Sequence, residues 1–139
     1  MRILFLGDVV GISGCSKLMN NLLEQIKINK IDFVIVNGEN ADETGVGLTK
    51  NICKDFFNSG VDVITTGNHV WDQKDIMNFI DKENRLLRPK NLFEPAPGKG
   101  FEIYTTEKNI KIAVLNLMGN VFMKKCDDVF ETTTKFLNT

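Results

Sequence analysis

The 139-residue chain has the composition of a soluble globular domain, with 42% hydrophobic and 25% charged residues. Its 17 basic and 18 acidic residues give a net charge of −1, which disfavours a nucleic-acid-binding face, and no apolar run is long enough to cross a membrane. The three cysteines lie far apart and form no Cys-x-x-Cys pair, which argues against a disulfide framework and a zinc ribbon. We therefore expect a cytoplasmic protein with one domain over residues 1–139.

Strand-like and helical patterns alternate along the first part of the chain. An apolar run over Arg2–Gly7 predicts a buried strand, and leucines at helical spacing predict a helix over Ser16–Lys30. A second apolar run, Ile31–Val36, predicts the next strand. The following helix is expected over Lys50–Ser59, with Thr49 as its N-cap.

A third strand and helix complete this alternation before the pattern changes. Val61–Thr66 reads as a strand and Asp72–Asp81 as an amphipathic helix, so three successive βα units predict a parallel sheet with right-handed crossovers. The remaining expected elements are a proline-rich loop over Arg88–Gly100, a hairpin of Phe101–Thr106 and Lys111–Leu117, and a final helix over Asp127–Leu137.

Polar residues next to a glycine follow each of the first three predicted strands. They are Asp8, then Glu39 and Asn40, then Asn68 and His69. Ligands gather at the carboxyl ends of parallel strands, so we expect these side chains to share one crevice. Oxygen donors with one imidazole favour Mn²⁺, Fe or Mg²⁺, and a carboxylate can bridge two such ions. Each residue taken singly also suits a turn or a cap, but three strand ends of this kind favour a site.

These strand-end blocks resemble those of a known family. The segments Gly7–Gly11, Asn37–Ala41 and Gly67–His69 with Trp71 and Asp72 are similar to the first three motifs of calcineurin-like metallophosphoesterases. More narrowly, the chain resembles the bacterial YmdB-like family, which hydrolyses 2′,3′-cyclic nucleotides at the 2′ position. Later segments match its pattern in order, namely Leu87–Pro89, Pro97–Gly100 and Asn116–Met123, so the resemblance covers essentially the whole chain.

The resemblance implies both a fold and a set of functional residues. The fold is α/β: the N-terminal part of an αββα sandwich, with three βα units, a β-hairpin and a terminal helix. Two divalent ions are implied, Mn or Fe with Mg as the alternative; Asp8 would bind one ion and Glu39 would bridge both. Asn40 and Asn68 would supply amide oxygens. His69 would be the general acid that protonates the leaving 2′-oxygen, a role that suits histidine because imidazole titrates near neutral pH.

The chain also departs from the wider pattern. Most metallophosphoesterases begin with Asp-x-His where Val10 stands here, an absence that the YmdB-like family shares. Members of that family continue for about the same length again, and their later half brings three further histidine ligands. Asp8, Glu39 and two amides cannot fill the coordination of two ions that each take about six ligands. We therefore expect this chain alone to bind metal weakly and to turn over poorly.

Two functional hypotheses follow. In the first, the chain is the first half of a phosphodiesterase acting on a small nucleotide, with Phe122 and Met123 as weak candidates for its base pocket. In the alternative, it is a catalytically inactive half-domain that serves as a binding or oligomerisation module. Open sheet edges predict a homo-oligomer or association with a complementing C-terminal half, while a fragment or a split gene stays open as an explanation of the length. A dinucleotide site is disfavoured because the first turn lacks Gly-x-Gly-x-x-Gly spacing.

Overall fold

The computed structural model describes residues 1–93 and 95–138. Its strands and α-helices, in chain order, are β1 (Ile3–Leu6), α1 (Gly11–Asn29), β2 (Phe33–Asn37), α2 (Lys50–Asn58), β3 (Val63–Thr65), β4 (Leu86–Leu87), β5 (Phe101–Thr105), β6 (Lys111–Leu115) and α3 (Val129–Leu137). Two short 3₁₀ helices, Lys74–Asn78 and Ile80–Lys82, lie between β3 and β4.

The strands form two sheets. β1, β2, β3 and β4 lie in that order in a parallel sheet, with Ile3 opposite Phe33 and Ile35 opposite Val63. β5 and β6 form an antiparallel pair. The predicted α/β fold, with βα units followed by a hairpin and a terminal helix, is confirmed.

Apolar cores lie on both faces of the parallel sheet. On one face Leu22 of α1 and Phe56 of α2 pack into the larger core with Val36 of β2. On the other face the β5–β6 hairpin packs Ile112 into a smaller core with Phe33. Because neighbouring residues of a strand point to opposite faces, β2 contributes to both cores.

α3 adds a further layer outside the hairpin. The ring of Phe136 on α3 lies 4.3 Å, centroid to centroid, from the ring of Phe101 on β5. The order helix, sheet, sheet, helix is the expected sandwich. No helix within residues 1–93 and 95–138 is long and apolar enough to cross a membrane.

The third crossover differs from its prediction. The prediction of an α-helix over Asp72–Asp81 is wrong, because the two 3₁₀ helices take its place. Side-chain bonds tie it to distant loops: Gln73 Nε2 donates to Val46 O at 2.9 Å, and Asp75 Oδ2 accepts from Lys50 N at 3.0 Å. These tertiary contacts override a helical pattern that local spacing alone indicates. β4 was not predicted, because two buried residues are too short to show a period.

Other local predictions agree better with the structure. Thr49 caps α2 as expected, its Oγ1 accepting from Ile52 N at 3.3 Å. α1 begins at Gly11, five residues before its predicted start. Gly14 allows this early start, because a Cβ there would lie 3.2 Å from the Val9 side chain. The three cysteines are buried free thiols, as the sequence indicates.

Candidate active site

Backbone hydrogen bonds join the loops that follow β1, β2 and β3. Val9 N donates to Asn37 O at 3.0 Å, and Gly11 N donates to Asn40 O at 2.9 Å, which holds the first loop against the second. Gly38 N donates to Thr65 O at 3.0 Å, which holds the second against the end of β3. The predicted strand-end residues therefore lie on one interlocked set of loops at the carboxyl edge of the sheet.

Asp8 and Asn40 are in direct contact. Asn40 Nδ2 donates to both carboxylate oxygens of Asp8, at 3.1 and 2.9 Å. The Asp8 carboxylate is exposed, whereas Asn40 is half-buried. An amide whose nitrogen binds a carboxylate directs its oxygen away from that carboxylate, so the pair offers oxygen donors to the surrounding space.

The carboxylate of Glu39 lies against the third loop. Its Oε1 accepts from His69 N at 3.1 Å, and its own backbone N donates to Asn37 Oδ1 at 3.0 Å. Gly67 is essential to this arrangement, because a Cβ at that position would overlap all three atoms of the carboxylate group. Asn68 follows Gly67 directly and is half-buried. The loops after β2 and β3 therefore bring the Glu39 carboxylate against the backbone of Gly67 and His69.

Asp72 orients the imidazole of His69. His69 Nδ1 and Asp72 Oδ2 lie 2.6 Å apart, a short charge-assisted hydrogen bond when the imidazole is protonated. With Nδ1 engaged, Nε2 is the nitrogen that can exchange a proton with a ligand. No separate role for Asp72 follows from the sequence pattern, although its position three residues after His69 is a spacing at which two side chains can meet.

A buried thiol on α1 is hydrogen-bonded to the loop that follows β2. Cys15 Sγ donates to Ala41 O at 3.1 Å, immediately after Asn40. Burial raises the pKa of the Cys15 thiol, so the group keeps the proton that it donates. Cys15 therefore has a structural role here, fixing α1 to the second loop.

The donor set suits a hard divalent cation. Carboxylate and amide oxygens with one imidazole are ligands that Mn²⁺, Fe²⁺ and Mg²⁺ accept. The absence of a side chain at Gly67 leaves the space that the Glu39 carboxylate occupies. Within residues 1–93 and 95–138, however, no three His, Cys, Asp or Glu side chains meet as a metal cluster. The carboxylates and amides at this edge therefore supply only part of the donor set of a metal site.

The two candidates for a base pocket lie on a turn after β6. Phe122 is fully exposed, with φ of +59°, and Met123 N donates to Asn120 O at 3.3 Å. Their role in binding a substrate stays a prediction.

Asn116, which directly follows β6, is hydrogen-bonded to the parallel sheet, a contact that the sequence did not indicate. Its Nδ2 donates to Thr66 O at 2.8 Å and to Leu87 O at 3.0 Å, so one buried amide joins the residues that follow β6, β3 and β4.

Comparison with known proteins identifies the family. The family model described as "YmdB-like protein" matches residues 4–139. The chain belongs to this family. It is 45% identical over 131 residues to the 2′,3′-cyclic-nucleotide 2′-phosphodiesterase of Bacillus subtilis strain 168, an alignment that covers 94% of this chain and 48% of the relative. The sequence resemblance is therefore confirmed.

Solved structures show the same fold. A hypothetical protein from Thermus thermophilus superposes with a TM-score of 0.91 and 33% identity, over 99% of this chain and 53% of that one. A phosphatase from Mycoplasma pneumoniae gives a TM-score of 0.89 and 31% identity, over 99% of this chain and 50% of that one. The chain spans about half the length of the curated relatives that it matches.

Proposed function

We propose that this YmdB-like chain provides the first half of a metal-dependent phosphodiesterase that converts 2′,3′-cyclic nucleotides to 3′-nucleotides. The observation that carries the proposal is the Glu39 carboxylate, which lies against Gly67 and accepts from His69 N at 3.1 Å. That contact joins an acidic side chain to the backbone of the only histidine in the sequence, which supports a shared role for the two residues. The name of the Bacillus subtilis relative supports the substrate class.

In this proposal Asp8 and Glu39 would hold two divalent ions, with Glu39 as the shared ligand, and Asn40 and Asn68 would supply amide oxygens. Mn or Fe are the favoured ions, with Mg as the alternative. When bound, such ions supply positive charge that stabilises the phosphoryl oxygens and makes water more acidic.

His69 acts on the leaving oxygen. Water adds to phosphorus and gives up one proton to solvent, the bond between phosphorus and the 2′-oxygen breaks, and the 2′-oxygen takes a proton from Nε2 of His69, which regains a proton from solvent. The product keeps its phosphate on the 3′-oxygen. Asp72 Oδ2 lies 2.6 Å from Nδ1 and fixes the orientation of the ring. His69 is thus the general acid and Asp72 its positioning residue.

The test is hydrolysis of 2′,3′-cAMP with Mn²⁺, using this chain co-expressed with the second half of the Bacillus subtilis relative. We expect 3′-AMP as the product, loss of activity in Asp8→Ala, and a fall of about 10²–10⁴-fold in His69→Gln. Glu24→Gln, an exposed carboxylate on α1, is the matched control and should keep full activity. Formation of 2′-AMP, or an equal rate with and without added metal, would overturn the proposal.

A further inference from the structure

An exposed aromatic ring lies beside the loop that carries His69. Phe93 is 67% exposed, and its ring centroid lies 5.8 Å from that of Trp71, with the two ring planes inclined at 54°. Aromatic pairs attract one another at this separation and tilt. Trp71 follows His69 by two residues, so their Cα atoms lie at most about 7 Å apart. The aromatic pair is therefore a close neighbour of the proposed general acid.

The side chain of Trp71 is held in place by the protein. Its indole Nε1 donates to Pro97 O at 3.3 Å, and its half-buried ring packs against the larger core. The single polar atom of the indole thus has its acceptor within the chain. Trp71 therefore supports the ring of Phe93 from a fixed position.

The backbone that carries Phe93 is anchored as well. Asn91 is buried, and its Nδ2 donates to Met118 O at 2.7 Å and to Asp127 O at 2.8 Å. Leu92 packs into the larger core. Phe93 thus extends from an ordered segment, so a ligand that covers its ring would cost little conformational entropy of the backbone.

This segment lies at the carboxyl edge of the parallel sheet. It follows β4, and Lys90 N donates to Asn116 O at 2.8 Å. Asn116 Nδ2 in turn donates to Thr66 O at 2.8 Å, and Thr66 is the residue before Gly67. The loops after β3, β4 and β6 therefore meet at the edge that carries the candidate active site.

The exposed surface of Phe93 suits a planar, uncharged group. A nucleobase stacks on an aromatic side chain whatever its identity, because every base has a π-face. A phosphate instead needs cations or hydrogen-bond donors, which a phenyl ring lacks. The Bacillus subtilis relative is named for cyclic nucleotides, in which one ribose joins the base to the phosphate. A nucleotide whose phosphate reaches His69 therefore has its base one sugar away, on the scale that separates His69 from the aromatic pair.

We propose that Phe93, supported by Trp71, is the stacking platform for the base of the nucleotide substrate. The inference rests on the proposed function, because it names how that site holds the part of its substrate that does not react. Purines bind more tightly than pyrimidines on this platform, since a larger ring system stacks more strongly. Phe93 sets the affinity for the base and takes no part in the bond changes at phosphorus.

The fluorescence of Trp71 reports binding directly, because it is the only tryptophan in the sequence. The unmodified chain is titrated with 3′-AMP, with excitation at wavelengths that adenine does not absorb. Ribose 5-phosphate is the comparison ligand that lacks a base. We expect a saturable change in fluorescence with 3′-AMP and none with ribose 5-phosphate. No catalysis is needed, so this result is independent of the proposed reaction.

Two variants of Phe93 separate stacking from simple apolar contact. Phe93→Leu keeps an apolar side chain but removes the π-face, and should weaken 3′-AMP binding by about fivefold or more. Phe93→Tyr keeps the π-face and should bind as the unmodified chain does. The matched control is Phe130→Ala, at a phenylalanine that is 80% exposed on α3, and it should leave binding unchanged. Circular dichroism of each variant checks that the fold is kept.

Kinetics of the chain complemented with the second half of the Bacillus subtilis relative give a second readout. Phe93→Leu should raise KM for 2′,3′-cAMP by a similar factor with little change in kcat. The same variant should leave hydrolysis of the 2′,3′-cyclic phosphate of 1-O-methylribose, which lacks a base, unchanged.

Three results would each overturn the inference: no change in Trp71 fluorescence with 3′-AMP, equal binding of 3′-AMP and ribose 5-phosphate, or a loss of 3′-AMP binding in Phe122→Ala but not in Phe93→Leu. Failure of the proposed function gives a different result. A complemented protein that binds 3′-AMP through Phe93 but hydrolyses no cyclic nucleotide would contradict the phosphodiesterase proposal and support Phe93 as a base-binding residue.

Discussion

Replacing Gly67 by alanine separates the proposed metal site from the stability of the fold. A Cβ at this position would lie 2.1 Å from Oε2, 2.3 Å from Cδ and 2.4 Å from Oε1 of Glu39, whereas ordinary contact begins at 3.4 Å. The nearest oxygen must therefore retreat by about 1.3 Å, several times the roughly 0.2 Å that a metal–ligand bond tolerates. We expect Mn²⁺ affinity to fall by at least about 10–100-fold.

The same substitution should leave the fold largely intact. The displaced group is the end of a flexible side chain, so the principal loss is the His69 N–H bond to Glu39 Oε1. That loss corresponds to about 1 kcal/mol and a fall in Tm of about 3 °C.

Titration with Mn²⁺ followed by the electron paramagnetic resonance signal of the free ion measures the affinity, and thermal unfolding measures the stability. Gly7→Ala is the matched control, since Gly7 also precedes a strand-end candidate residue but no atom lies within 4 Å of its added Cβ. Equal Mn²⁺ affinity in the two variants would refute the placement of Glu39 in a metal site.

Three further predictions concern single side chains. Thr49→Ala removes the cap of α2 and should lower the free energy of unfolding by about 1 kcal/mol in a urea titration, whereas the exposed Asn51→Ala should have little effect. Asn116→Ala leaves two buried carbonyl groups without their amide donor and should lower that free energy by about 1–3 kcal/mol in the same titration. Asp72→Asn keeps the shape but removes the charge beside His69, so the complemented protein should lose turnover while its Mn²⁺ affinity, measured in parallel, stays the same.

Much of the fold could be predicted from the sequence because the first strands and helices have local sequence signals. Apolar runs mark β1 and β2, and Thr49 marks the start of α2 through a side chain that can accept from a first-turn amide. The segment between β3 and β4 could not be predicted in the same way. Its 3₁₀ helices depend on bonds from Gln73 and Asp75 to residues more than twenty positions away, which local spacing does not contain.

The candidate site shows the same division. Asp8, Glu39 and His69 could be named because they follow predicted strands, and the carboxyl ends of parallel strands meet at one edge of a sheet. The contacts among the site residues could not be predicted, because the space at Gly67 and the hydrogen bond between His69 and Asp72 depend on the backbone geometry after β3. The assignment of metal ligands and of the general acid stays a prediction.

The central claim is that Asp8 and Glu39 hold divalent metal at the carboxyl edge of the parallel sheet. Equilibrium dialysis against Mn²⁺, with elemental analysis of the protein compartment, tests it most directly. The double variant Asp8→Asn with Glu39→Gln is compared with Glu24→Gln with Glu107→Gln, which removes the same charge from two exposed positions. We predict bound Mn²⁺ in the unmodified chain and in the second variant, and none in the first. Equal Mn²⁺ in all three proteins would contradict the claim.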